Sequence, residues 1–199
     1  EVNVHFSDPR VLDTDGDGLS DGDEINSHST NPAVTDSDKD GLNDRVEIDV
    51  FGTNPSIQDT DGDGTIDGNE DADSDSLSNA DELDIHETNP TSADTDEDGL
   101  NDGEELNTHK TDPKVADTDL DGLSDGEEAN IFKTNPIVAD TDEDGLSDGV
   151  EVNIFSTDPL AADSDNDGLS DGIEVNVVGT NPSVKDSDGD GTLDGNEDT

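Results

Sequence analysis

Carboxylates are the chemistry this chain carries, and they are placed by position. The first instance is Asp13-Thr14-Asp15-Gly16-Asp17-Gly18, closed by Glu24: Asp at alternate residues, then Gly, then Glu six residues later. Nine such 12-residue frames begin at Asp13, Asp36, Asp59, Asp71, Asp94, Asp117, Asp140, Asp163 and Asp186. The steps between them are 23, 23, 12, 23, 23, 23, 23 and 23 residues. Positions 1, 3 and 5 are Asp and position 12 is Glu in all nine; position 9 is Asp except at Asn79, and position 6 is Gly except at Ser76. Positions 1, 3, 5, 9 and 12 of the frames hold 44 of the 58 acidic residues. An acidic tail kept solvated by its own charge has no reason to keep such offsets.

Alternate residues of an extended stretch point the same way, so positions 1, 3 and 5 converge on one point. Gly at 6 takes a sharp turn that a side chain resists. The carbonyl of position 7 then faces the same point, position 9 contributes directly or through water, and Glu at 12 closes the site with two oxygens. This is the ligand order of an EF-hand loop. About seven oxygens suit Ca²⁺, whereas Mg²⁺ prefers six at shorter range and Zn²⁺ prefers nitrogen and sulfur.

The candidate ligands follow loop by loop, with position 7 acting through its carbonyl. The first two loops offer Asp13, Asp15, Asp17, Leu19, Asp21 and Glu24, then Asp36, Asp38, Asp40, Leu42, Asp44 and Glu47. The next two, back to back, offer Asp59, Asp61, Asp63, Thr65, Asp67 and Glu70, then Asp71, Asp73, Asp75, Leu77, Asn79 and Glu82. Asp94, Asp96, Asp98, Leu100, Asp102 and Glu105 form the fifth set; Asp117, Asp119, Asp121, Leu123, Asp125 and Glu128 form the sixth. Asp140, Asp142, Asp144, Leu146, Asp148 and Glu151 follow, then Asp163, Asp165, Asp167, Leu169, Asp171 and Glu174. The last loop offers Asp186, Asp188, Asp190, Thr192, Asp194 and Glu197. The loop at Asp71 is expected to be the weakest or most distorted, because Ser76 resists the φ that Gly gives freely.

The elements that position these residues are short. Asp at 9 with Glu at 12 resembles an N-cap followed by a capping-box Glu. Apolar residues at 13 and 16, such as Ile48 with Phe51 and Val152 with Phe155, fit one face of a short helix. Thr-Asn-Pro or Thr-Asp-Pro, as at Thr30-Asn31-Pro32, is expected to end that helix at position 20. Only the exiting helix has room, so the unit is half an EF-hand, repeated. Ile66 and Leu193 place the apolar residue at position 8 rather than 7, so those two loops are expected to pack differently. Glu70 runs straight into Asp71, where a change of repeat geometry is expected.

Bland readings fit the remaining polar residues. His5, His28, His86 and His109 all occupy position 16, the slot of Phe51, Phe132, Phe155 and Val178, and read as packing residues. Asn or Asp at position 19 reads as a turn residue, with a ligand role as the alternative.

Composition narrows the function further. Seven basic residues against 58 acidic ones give a net charge of −51, and hydrophobic residues make up only 25 % of the chain. So little apolar surface cannot offset the entropy of ordering, and the charge repels itself. The chain is therefore either disordered or held together by cations. There is no footprint for nucleic acid or an anionic membrane surface, and no apolar run of about 18 residues to insert into a bilayer. No signal-peptide pattern is visible at Glu1, and the absence of Cys excludes disulfides. No copy of the frame stands apart as a catalytic site would, so an enzyme is not expected.

The unit DxDxDGLSDGxE, about seven residues and then TNP or TDP, resembles the thrombospondin type 3 repeat in its cysteine-free bacterial form. The resemblance covers essentially the whole chain. It implies a mostly irregular, metal-stabilised repeat rod: tandem EF-hand-like calcium loops, each followed by a short helical turn, with little or no sheet. The expected divisions are a partial repeat at 1–12, repeats at 13–35 and 36–58, and back-to-back loops at 59–70 and 71–93. Repeats follow at 94–116, 117–139, 140–162 and 163–185, then a last loop and truncated repeat at 186–199. Both ends read as cut from a longer array. About nine or more Ca²⁺ ions are expected. Nine would reduce the charge of −51 to −33, and eighteen to −15, which favours a second ion sharing positions 3, 5 and 12 in some repeats.

The expected role is a calcium-binding stalk or spacer of a larger secreted or surface protein of adhesin type, extracellular or at the cell surface, with the periplasm an alternative. Its partners are calcium ions and flanking domains of the same polypeptide. The alternatives are a calcium-dependent interaction module that itself binds a ligand or a partner array, and a calcium store.

Overall fold

The computed structural model describes residues 7, 8 and 10–196. They belong to two compact units, Glu1–Ala93 and Asp94–Thr199. In each, acidic loops alternate with very short helices, and no strand occurs among the described residues.

Each loop turns where its sequence allows a left-handed residue. Position 6 takes φ between 97° and 108° in the eight loops that have Gly there. Ser76 adopts φ 82° at the same position, so the loop at Asp71 keeps the common path despite the unfavourable residue. The amide of position 9 closes loops by donating to the carbonyl just before position 1, as in Asp21 to Leu12 at 3.0 Å and Asp125 to Ala116 at 3.1 Å. Glu70 serves this purpose for the next loop: Asn79 N–H donates to its carbonyl at 2.8 Å. The back-to-back pair thus keeps register without a spacer.

The helix begins one residue earlier than the capping-box reading places it. The N-cap is position 8, Ser or Asn, whose side chain accepts from the amide of position 11, as Asn101 does from Glu104 at 2.7 Å. Position 9 is the first helical residue. The one capping box described, Ser124 with Glu127, uses position 11 rather than 12. In the two loops where Ile66 and Leu193 occupy position 8, no side chain can cap. There the helix is reduced to a 3₁₀ turn, Asp67–Asn69 and Asp194–Asn196.

The other seven helices share one form, a single α turn running into a π turn, as in Asp125–Glu127 and Glu128–Phe132. They end at position 17, before the proline at 20. Position 17 is left-handed in every one, whether Gly (Gly52, φ 73°) or not (Ser29, Glu87, Lys110, Lys133 and Ser156, φ 57–68°). The proline is buried instead. A left-handed residue satisfies the last carbonyls by turning the chain back, so proline is not needed as a stop.

What core exists is built from Leu19, Leu42, Leu100, Leu123 and Leu146, all at position 7. Position 16 is half-buried alike for His28, His86, His109, Phe51, Phe132 and Phe155, as packing residues should be, whereas Val178 in the same slot is exposed. His5 lies outside the described residues. Position 13 is at best half-buried, so the helix face buries less than its periodicity predicts. The most deeply buried large side chains are mainly the glutamates of position 12.

Candidate metal centres

Carboxylates converge as the spacing requires. Asp13, Asp15 and Asp17 bring one oxygen each within 4.8 Å of one another, and so do Asp36, Asp38 and Asp40, Asp59, Asp61 and Asp63, and Asp71, Asp73 and Asp75. Each position has its own restraint. Position 1 is held by loop amides: Gly122 N–H donates to Asp117 Oδ2 at 3.1 Å, and Leu120 N–H to Oδ1 at 2.8 Å. Position 5 accepts from the amide of position 7, as Asp121 Oδ1 does from Leu123 at 2.8 Å. Position 3 is held least: Asp15, Asp61, Asp142 and Asp188 accept the amide of position 5 on Oδ1, and both oxygens of Asp38, Asp96, Asp119 and Asp165 are buried without a hydrogen-bond partner.

Position 12 is positioned by a residue that sequence reasoning treated only as a helix stop. The Thr at position 18 donates its hydroxyl to Oε1 of the glutamate, at 3.0 Å for Thr134 to Glu128 and Thr180 to Glu174. Its counterparts from Thr30 to Glu24 through Thr157 to Glu151 lie at 3.1–3.3 Å. The π turn and left-handed residue bring this Thr back: the same glutamate's carbonyl accepts the amide of position 17, 2.6 Å from Lys110 to Glu105. Oε2 of Glu24, Glu47, Glu105, Glu128, Glu151 and Glu174 stays buried without a hydrogen-bond partner. The signal was present: Thr fills position 18 in all seven spacer repeats.

Position 9 faces its own loop. Asp125 accepts the Thr118 amide on Oδ1 at 2.8 Å and its hydroxyl on Oδ2 at 2.6 Å. The fourth loop changes both partners together: Ala72 N–H donates to Asn79 Oδ1 at 3.1 Å, and Asn79 Nδ2 donates to the Asp67 carbonyl at 3.0 Å. The amide is what lets this loop sit directly on the one before it. Position 19 closes a local turn, Asn54 Oδ1 accepting from Ser56 at 3.1 Å and Asp158 Oδ1 from Leu160 at 3.2 Å.

The loops at Asp59 and Asp186 diverge from the others. Glu70 is extended (φ −69°, ψ 160°) and half-buried, Asp61 and Asp63 are exposed, and so is Thr65. Asp188, Asp190 and Thr192 of the last loop are exposed likewise, and Glu197 lies outside the described residues. At position 7 elsewhere, Leu77 and Leu169 are half-buried and the rest are buried.

Burial and mutual repulsion raise these acids. Glu47, Glu105, Glu128 and Glu151 are pushed up to about 8, Glu24 and Glu174 to about 7, mainly by burial. Asp38, Asp96, Asp119 and Asp142 rise to about 6, again by burial and then by neighbouring aspartates. A buried carboxylate oxygen without a donor is costly unless a proton or a cation meets it. An all-oxygen donor set of this kind fits a hard divalent cation.

Loops of this kind, seven of them followed by a short helix that carries the position-12 glutamate, define an acidic loop-and-helix repeat array. The chain belongs to the bacterial TSP3 repeat family, which matches residues 13–33, 36–56, 94–116, 117–139, 140–162 and 163–185. No curated protein matches it. Two solved structures are similar over short stretches. The B domain of a biofilm associated protein is 44 % identical over 23 % of this chain and 11 % of that one, with a TM-score of 0.22. The BSP domain is 44 % identical over 22 % and 7 %, with a TM-score of 0.21. The similar stretch is thus at most 11 % of either solved chain.

Proposed function

We propose that this array is a calcium-ordered spacer in a larger secreted or surface protein. The observation that carries the reading is the set of buried oxygens without hydrogen-bond partners at positions 3 and 12, aligned in loop after loop. Positions 1, 3, 5 and 12 hold the ion, with the carbonyl of position 7. Position 9 acts through water or by shaping the loop. A second ion in some repeats is supported by the buried cluster of Asp40, Glu47 and Asp67, which joins positions 5 and 12 of one loop to position 9 of the next.

Because the apolar core is a few leucines, cation-binding free energy is most of the folding free energy. Extracellular modules of this kind bind at ~10⁻⁴–10⁻³ M. The chain therefore stays unfolded at cytosolic calcium and orders outside, where each 23-residue step stiffens its neighbours and holds a distal domain of the same polypeptide at a distance. The role is structural rather than catalytic. Circular dichroism and small-angle scattering with calcium and after EGTA test this, with calorimetry counting the ions. Ordering on calcium addition and loss of order on chelation are expected, with more than nine ions bound. A scattering profile that stays compact in EGTA refutes the spacer reading.

A further inference from the structure

Within each of the two units, hydrogen bonds tie a loop to the repeat that follows it. The position-5 carboxylate spends Oδ1 on its own loop and turns Oδ2 outward. Gly149 N–H donates to Asp121 Oδ2 at 2.6 Å, Gly172 to Asp144 at 2.5 Å and Gly126 to Asp98 at 2.8 Å. Gly195 to Asp167 at 3.0 Å and Gly68 to Asp40 at 3.1 Å repeat the contact. The donor is always position 10. Space demands glycine there: a Cβ on Gly126, Gly149 or Gly172 would overlap the position-5 carbonyl oxygen of the preceding loop. A second clamp lies beside it, Asn153 Nδ2 donating to the Gly122 carbonyl at 3.5 Å and Asn130 Nδ2 to Gly99 at 3.4 Å.

Two frames lack glycine at position 10: the back-to-back fourth loop has Ala80, and the second repeat exchanges the parts of the contact. Position 10 of the second repeat is Arg45, whose guanidinium donates to the Gly18 carbonyl at 3.2 Å, while Asp49, in the slot of the clamping Asn, holds Arg45. The carbonyl of position 6 is still held, but Asp17 Oδ2 is left buried without a hydrogen-bond partner.

We infer that the position-10 glycine is a positioning residue for the cation site of the loop before it. Its amide fixes the orientation of the position-5 carboxylate, so a site is complete only when the next repeat has folded onto it. The inference rests on the calcium reading above and adds a direction: order passes from each repeat to its N-terminal neighbour's site. Outer hydrogen bonds that orient metal ligands are worth about 10- to 100-fold in affinity.

The position-6 glycines provide the readout. Gly122 and Gly145 N–H donate to the position-1 aspartates Asp117 and Asp140 of their own loops, at 3.1 and 3.0 Å. In the full chain labelled with ¹⁵N-glycine and titrated with calcium, each amide reports its own loop. In Gly149→Ala the Gly122 midpoint is expected to rise about tenfold while Gly145 moves less than about twofold. Asn153→Ala, which adds no clash, is expected to shift Gly122 in the same sense. A shift confined to Gly122 in either variant supports the inference. It fails if Gly145 moves as far as Gly122 in both variants, or if Gly122 moves in neither. Glycine amides of the unvaried chain that ignore calcium altogether would remove the calcium reading itself.

Discussion

Glu105 is wholly buried, and its two carboxylate oxygens are placed differently. Oε1 takes the Thr111 hydroxyl at 3.1 Å, and Oε2 takes no hydrogen bond. Threonine at position 18 therefore aims the glutamate without neutralising it. Thr111→Val keeps the shape and removes the donor. It should weaken calcium binding in the loop at Asp94 by about tenfold, and Glu105→Gln, which also removes the charge, should weaken it further. Proteolysis of this repeat in limiting calcium reads both effects. Wild-type protection in Thr111→Val would show that the hydroxyl does not orient the carboxylate.

The helices are too short to stand on propensity. Eight residues lie below the length at which a helix holds in water, so their ends decide whether they form. The start has a good cap at position 8, whereas the end requires a left-handed residue that the sequence supplies as Gly in only some repeats. Ser156 (φ 57°) closes its helix where Gly179 (φ 86°) closes the next. Ser156→Gly should stabilise the calcium-bound form by roughly 0.5–1 kcal/mol, because the Cβ penalty of the left-handed region disappears. Thermal unfolding in saturating calcium measures it, and a lowered Tm would mean that the serine hydroxyl contributes more than its backbone strain costs.

On the proposed calcium reading, protons and calcium compete for the same oxygens across the array. Six of the position-12 glutamates, Glu24, Glu47, Glu105, Glu128, Glu151 and Glu174, rise from 4.5 to about 7–8, and four position-3 aspartates from 3.8 to about 6. A raised folded-state value means that the metal-free fold holds more protons than the unfolded chain. Their stabilising contribution is full below about 4 and is lost as pH rises through about 6 to 8. In EGTA the chain should thus be more ordered at pH 5 than at pH 8.5. Calcium needs the ionised form, so its apparent affinity should rise over that window, with protons released on binding. Calorimetry at pH 6.5 in buffers of different ionisation enthalpy measures the release; a buffer-independent heat would contradict the competition.

Much of this was legible in the residues themselves. Fixed offsets of Asp, Gly and Glu in nine frames determine the loop, because convergence of oxygens is a matter of alternation and a turn, both local to 12 residues. The divergence of the loops with Ile66 and Leu193 at position 8 was legible too, since an apolar residue there removes a cap. Tertiary structure decided what depends on chain returning from a distance. It placed the helix end at a left-handed Ser, Glu or Lys, turned Thr at position 18 onto the glutamate six residues before it, and paired Ala72 with Asn79. It also set the amide of position 10 against an aspartate 28 residues earlier. Periodicity gives the spacing of residues along a chain, but which amide reaches which carboxylate follows only from how one repeat packs on the next.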